Sequence, residues 1–241
     1  MSFPPRVTTD IADASSVSLS SYWRERVEQH TRDSYAGIPL SKFPEDLRTY
    51  EHLIWEQQPE VILEIGCQHG ASTLWLRDRM LSFARYANRR SQSPKVVAVD
   101  IDIASARANL EAADPSWQEA ITLHEGDVCD PELIARVLES IPAGTNTMVI
   151  EDSAHVEETT WSALEQFSGL VPAGGYFVVE DGCVDVEALR LQEDWPRGVL
   201  PAVDRWLSTP AGSKFERRRD LEFYGITCHP HGFLRRLDYQ R

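Results

Sequence analysis

The chain has 241 residues, with 24 Lys plus Arg against 38 Asp plus Glu, for a net charge of −14 at pH 7. This balance excludes a basic face for polyanions, so neither nucleic acid nor an anionic membrane is an expected partner. No apolar run approaches the roughly 20 residues that span a bilayer, the start MSFPPRVTTD has no apolar leader core, and four widely spaced cysteines form no CxxC pair, so a cytoplasmic protein with reduced thiols is expected.

Residues 1–20 are rich in Ser, Thr, Asp and Pro and read as a loose arm. A helix is predicted over 17–30, with Leu19, Trp23 and Val27 on one stripe. A second starts at Pro44, which suits a first helical turn, and stops at Pro59; Leu47, Leu53, Ile54 and Trp55 are its core candidates. Strand and helix patterns then alternate. Strands are predicted over 61–65, 95–100, 120–124, 146–151 and 176–180, and helices over 70–80, 103–113, 131–140 and 155–168. Short, continuously apolar strands alternating with helices imply a doubly wound α/β fold, its parallel sheet covered on both faces. After Asp185 the rhythm changes to a helix in PAVDRWL and two terminal strands, expected to be antiparallel, in KFERRR and FYGITCHPHGFLRRL. Residues 1–40 are expected to form an N-terminal arm and helix, and 41–241 one domain.

Such sheets bind ligands beyond the carboxyl ends of their strands. After the first of them comes GCQHGAS, which with Glu64 gives E-x-G-x-x-x-G. Gly66 permits a tight turn, Gly70 permits close backbone approach, and Ser72 follows at the helix start. The loop is neither G-x-G-x-x-G nor a P-loop. The second strand ends at Asp100, where a carboxylate can accept both ribose hydroxyls; Asp102 can substitute if the strand runs on. Asp127 follows the third strand, within reach of an adenine amino group. Each acid alone also reads as a helix cap.

The fourth strand runs into Glu151-Asp152-Ser153-Ala154-His155 and the fifth into Glu180-Asp181-Gly182. Parallel strands set these ends side by side, and three packed carboxylates repel unless protonated or bridged by a cation. A hard divalent ion, Mg²⁺ or a similar one, is the matching partner. His155 lies near the same point and is the expected general base; Glu151 reads as structural.

The glycine loop and the acids after strands two and three resemble Rossmann-like class I S-adenosylmethionine-dependent methyltransferases. That resemblance implies a seven-stranded sheet with its last strand antiparallel. KFPEDLRTYEHLIWEQQPEVILEIGCQHGAS, VIEDSAHVEETTWSALEQFSGLVPAGGYFVVEDG and the FYGITCHPHGFLRRL ending narrow it. They resemble the cephalosporin hydroxylase family and the macrocin-type and rhamnosyl O-methyltransferases of antibiotic and other natural-product biosynthesis. Glu64, Gly66, Gly70, Ser72, Asp100 and Asp127 then correspond to cofactor-binding positions. Asp152, Glu180 and Asp181 correspond to Mg²⁺ ligands, and His155 to the base. The expected reaction is Mg²⁺-dependent O-methylation of a sugar or polyketide-like hydroxyl by an enzyme that often assembles as a homo-oligomer. A nucleotide-cofactor oxidoreductase and a non-catalytic accessory subunit of a tailoring system are the rival classes. Tyr50 lies near the cofactor by resemblance, or in the core; Trp161 and Phe167 read as core. Cys67 and Cys183 read as packing, and His229 and His231 as surface or turn residues. Acceptor choice is assigned to the N-terminal arm and to residues 81–94 and 182–200.

Overall fold

The computed structural model describes residues 18–86, 93–222 and 224–238. The expected arm up to residue 17, and residues 87–92 of the 81–94 loop, lie outside the described residues. Helix α1 (Leu19–His30) starts at Ser18, whose hydroxyl accepts the Ser21 N–H. A short hairpin, β1 (Ser34–Tyr35) and β2 (Ile38–Pro39), follows. Two-residue strands carry no periodicity, so the sequence pattern gave no sign of it. Helix α2 (Pro44–Gln57) opens with Pro44 as expected.

The alternating part consists of β3 (Val61–Ile65), α3 (Ala71–Tyr86), β4 (Lys95–Asp100), α4 (Ala104–Ala113), β5 (Ile121–Glu125), α5 (Pro131–Ser140), β6 (Thr147–Glu151), α6 (Glu157–Phe167) and β7 (Tyr176–Val179). Helix α7 (Val199–Leu207), β8 (Phe215–Arg217) and β9 (Phe233–Arg236) complete the described chain. The sheet order is β5-β4-β3-β6-β7-β9-β8, with β3 to β7 parallel and β9 antiparallel to both neighbours. The order turns outward in both directions from β3 and β6, so the ligand crevice is expected at their carboxyl ends.

Strand alternation assigns side chains to the two faces. Leu63, Val149, Phe177 and Val179 pack on the side of Leu164 in α6 and Val203 in α7. Ile62, Ile150 and Val178 pack on the side of Tyr50 in α2 and Leu74 in α3. Phe167 is buried as expected. The α1 stripe and two core candidates are buried less fully than expected. Leu19 is 71% exposed, because α1 docks through Trp23, which stacks at a tilt on Phe43 and donates Nε1–H to the Leu189 carbonyl. Trp55 is 48% exposed and meets Phe83 edge-on at the surface. Trp161 is half-buried, its ring covered by the Arg205 guanidinium at 3.9 Å.

Candidate active site

Backbone hydrogen bonds extend the parallel register one step past the strands. Gly66 N–H donates to Val99, Asp152 N–H to Ile65, and Glu180 N–H to Glu151. Since Ile65 pairs with Glu151 and Glu151 with Val179, Gly66, Asp152 and Glu180 stand abreast. Gly66 is required there: a Cβ on it would lie 1.9 Å from the Asp152 carbonyl oxygen, and its φ is +92°.

Alternation also decides where the acids point. Asp152 and Glu180 continue the register of Ile150 and Val178, on the α2/α3 face. There Lys42, just before α2, places Nζ 2.5 Å from Asp152 Oδ2 and 2.5 Å from Glu180 Oε2. The Tyr50 hydroxyl donates to Glu180 Oε1 at 2.6 Å. Burial alone would lower the Lys42 pKa, but the Asp152 and Glu180 carboxylates hold it well above the usual lysine range. Burial and the charge of Glu180 push the Asp152 carboxyl well above its ordinary value. Burial also pushes Glu180 upward, but Lys42 and His229 outweigh it and leave Glu180 below its ordinary value.

Asp181 leaves this face. It adopts left-handed φ 54°, as does His155 at φ 57°, conformations that non-glycine residues hold only where surroundings impose them. His155 Nε2 then lies 3.3 Å from Asp181 Oδ2, while His155 Nδ1 is buried without a hydrogen-bond partner. Among the described residues, Asp152, His155 and Asp181 each offer a ligand atom within 4.8 Å of the others. Two carboxylates at this spacing fit a divalent cation, with the imidazole beside them. Glu180 stands one step inside them, held by Lys42 and Tyr50.

A cavity of about 560 Å³ opens over these strand ends, lined by Gly66, Asp100, Asp127, Asp152, His155, Glu180 and Asp181 among others. Asp100 Oδ2 accepts the Cys67 and Gln68 N–H groups at 2.9 and 2.7 Å, fixing the glycine loop from the β4 end. Asp127 Oδ1 accepts the Cys129 N–H; Asp130, not Asp127, caps α5. Glu64, Gly70 and Ser72 lie off this cavity. Glu64 is fully buried beneath α3, where it accepts the Thr73 hydroxyl at 2.5 Å. Gly70 lets α3 and α4 approach, since its Cβ would meet Leu110 and Ala106 at 3.2 to 3.3 Å. Ser72 faces a recess of about 40 Å³ shared with Lys42, Gly66 and Asp152.

A second cavity, of about 500 Å³, shares His30, His155, Asp181 and Cys228 with the first and reaches Trp23 of α1 and Trp195 of the 182–200 segment. His30 Nδ1 donates to the Val27 carbonyl, so Nε2 is its accepting nitrogen, and burial lowers its pKa. His229 corrects the surface reading. It is 2% exposed, and its Nδ1 accepts the Asp181 N–H at 3.1 Å. His231, the other histidine of the H-P-H, is half-buried in the turn before β9. Lys42, His30 and the buried role of His229 escaped sequence reasoning. For Lys42 the available signal was its place two residues before the helix-starting Pro44, on the element that covers the strand ends.

A family model described as rhamnosyl O-methyltransferase/CmcI matches residues 27–237. Rhamnosyl O-methyltransferases of Mycobacterium tuberculosis and Mycobacterium leprae are each 26% identical to the chain. The first match covers 85% of this chain and 78% of the relative, the second 83% and 82%. A solved CmcI–Mg–SAM structure superposes with TM-score 0.60 at 19% identity, covering 98% of this chain and 90% of that one. An O-methyltransferase from Bacillus cereus in complex with SAH superposes with TM-score 0.54 at 16% identity, covering 86% of each chain.

Proposed function

The chain belongs to the rhamnosyl O-methyltransferase/CmcI family of S-adenosylmethionine-dependent O-methyltransferases, and from that premise we propose that it methylates a hydroxyl of a sugar or polyketide-like small molecule with the help of a divalent cation, Mg²⁺ by preference. One observation carries the reading. Asp152, Glu180 and Asp181 gather at one end of a cavity whose other end is walled by Asp100 and Asp127.

In this reading Asp127 and Asp100 receive the nucleoside of the methyl donor, and Asp100 also keeps the Gly66 loop in shape. Gly66 lets the β3 and β6 ends close up at the site, where the acid end suits the donor's cationic sulfonium. The acids lower the energy of that cationic group by proximity. Asp152, Glu180 and Asp181 are the residues that would hold the cation. When bound, such an ion lowers the pKa of an acceptor hydroxyl and fixes its oxygen. The Lys42 charge keeps Asp152 and Glu180 together without it. His155, oriented by Asp181, takes the proton of the acceptor hydroxyl as its oxygen bonds to the methyl carbon, the sulfur–methyl bond breaks and the donor leaves as a neutral thioether. Glu64, Gly70 and Ser72 shape the loop from behind. The second cavity, with Trp23 and Trp195, is the space for the acceptor, so α1 and the 182–200 segment govern its choice.

Titration calorimetry with S-adenosylmethionine and, separately, NADH tests the cofactor half. The donor binds and NADH does not if the reading holds. Transfer of labelled methyl to rhamnosides in Mg²⁺ and in EDTA tests the rest; equal transfer in both contradicts the metal part. Donor binding without transfer to any hydroxylated acceptor favours an accessory subunit.

A further inference from the structure

Cys183 and Cys228 play no part in the reaction above. Cys183 lies in the turn after β7, and Cys228 on the segment that enters β9. The Cys183 N–H donates to the Cys228 carbonyl at 3.1 Å, and both cysteines are free thiols. A sulfur from each, and one carboxylate oxygen of Asp181, all lie within 4.8 Å of one another. A tetrahedral ion bound at about 2.3 Å from two thiolates separates the sulfurs by roughly 3.7 Å. The donors therefore already stand near ligand spacing. Both cysteines are buried, at 4% and 8% exposure, yet both line the second cavity, so an ion and its fourth ligand, water, can reach them without unfolding.

The donor set sorts metals by softness. Two thiolates and one carboxylate suit zinc and its relatives, whereas Mg²⁺ takes oxygen and avoids sulfur. We propose that Cys183, Cys228 and Asp181 form a site for a zinc-class ion, and that filling it withdraws Asp181 from the acid cluster shared with Asp152 and His155. The second half rests on the methyltransferase reading; the first does not. Binding converts two thiols to thiolates, forms two metal–sulfur bonds and one metal–oxygen bond, and releases two protons to solvent. A zinc-class ion on Asp181 draws that carboxylate away from Asp152 and His155 and weakens its hold on a second cation, so zinc inhibits methyl transfer.

Cobalt(II) is the optical probe, added to protein kept reduced with a phosphine rather than a thiol. The wild-type protein is expected to show thiolate-to-cobalt charge-transfer absorption that Zn²⁺ displaces. The band is lost in Cys183→Ser and in Cys228→Ser, and kept in Cys67→Ser and Cys129→Ser. Absence of the band in the wild type, or its survival in both of the first two variants, overturns the site. For the second half, the ratio of methyl transfer with and without Zn²⁺ is compared in the wild type and the Cys183→Ser/Cys228→Ser double variant. Zinc inhibition confined to the wild type supports withdrawal of Asp181, and equal inhibition in both overturns it. If no acceptor is methylated at all, the methyltransferase reading fails, while the cobalt spectrum still decides the site.

Discussion

The Lys42 ammonium sits 2.5 Å from Asp152 Oδ2 at the carboxyl end of β6, with only 7% of the lysine side chain exposed. Its second partner is Glu180, at the same distance. Two buried carboxylates at one level of a sheet repel, and a fixed ammonium between them removes that cost. Lys42 therefore does internally what a divalent cation would do from solution.

Replacing Lys42 by Met is accordingly expected to cost about 3–5 kcal/mol of unfolding free energy in EDTA, as for other broken buried pairs. Mg²⁺ should restore more of the loss than it adds to the wild type, because the variant's acids bind it more tightly. Urea melts with and without Mg²⁺ measure both. Equal Mg²⁺ effects on the two proteins would remove the counter-cation role.

Gly66→Ala tests the alignment of the strand ends. Its Cβ would collide with the Asp152 carbonyl, so β3 and β6 must separate at the site. Donor affinity and divalent-ion affinity should fall together, since one shift disturbs both. Calorimetry with S-adenosylhomocysteine and with Mn²⁺ reads each. Loss of one with full retention of the other argues against a shared edge.

Asp127 and Asp130 lie three residues apart in one turn and do different work. Asp130 caps α5 by accepting the Glu132 N–H, so Asp130→Ala should cost about 1 kcal/mol of stability with donor affinity kept. Asp127 lines the cavity, so Asp127→Ala should weaken donor binding at a smaller cost in stability. Thermal melts and calorimetry on the two variants should give opposite rank orders.

Much of this arrangement was legible in the sequence. Five short apolar strands, each ending in a glycine or an acid, announced the parallel sheet and the edge where its ligands gather. The limits lay in direction and distance. Alternation in VILEI sends Glu64 under α3 with Ile62, so an acid one residue from the strand end is not at the crevice. Lys42 is separated from Asp152 by 110 residues and from Glu180 by 138, and no local pattern links them. His229 looked like a turn residue in H-P-H because turns are usually exposed. Here Asp181 donates its N–H to the ring, and Asp46 of α2 accepts the neighbouring Cys228 N–H, which draws the segment inward.

Glu64 gives a prediction with a definite sign in pH. Burial pushes its carboxyl up; Lys42, Ser72 and Thr73 pull it down by less, so its folded pKa is raised. A raised carboxylate contributes stability fully below the ordinary glutamate pKa and loses it as pH rises through the folded value. Glu64→Gln keeps an acceptor for the Thr73 hydroxyl and has no charge to bury. Its melting temperature relative to wild type should therefore climb as pH is raised from about 4, the ordinary glutamate value, into the neutral range. A constant difference across that range would mean that Glu64 is as ionised folded as unfolded.

His155→Gln should slow methyl transfer by about 10² to 10⁴, the usual range for a general base, with donor affinity retained. Rapid-quench transfer rates beside calorimetric affinities check the split. A loss of affinity alone would make His155 a binding residue, and His30, whose accepting Nε2 belongs to a residue lining both cavities, would be the next imidazole to test.

The central claim is that one sheet edge holds a nucleoside at the Asp100–Asp127 end and a divalent cation at the Asp152–Asp181 end. A crystal grown with S-adenosylhomocysteine and Mn²⁺, measured for Mn²⁺ anomalous scattering, tests it most directly. The account predicts one anomalous peak bound by Asp152, Glu180 and Asp181, with the adenosine lying against Asp100 and Asp127. A nucleoside bound elsewhere, or manganese absent from the acid cluster, would contradict it.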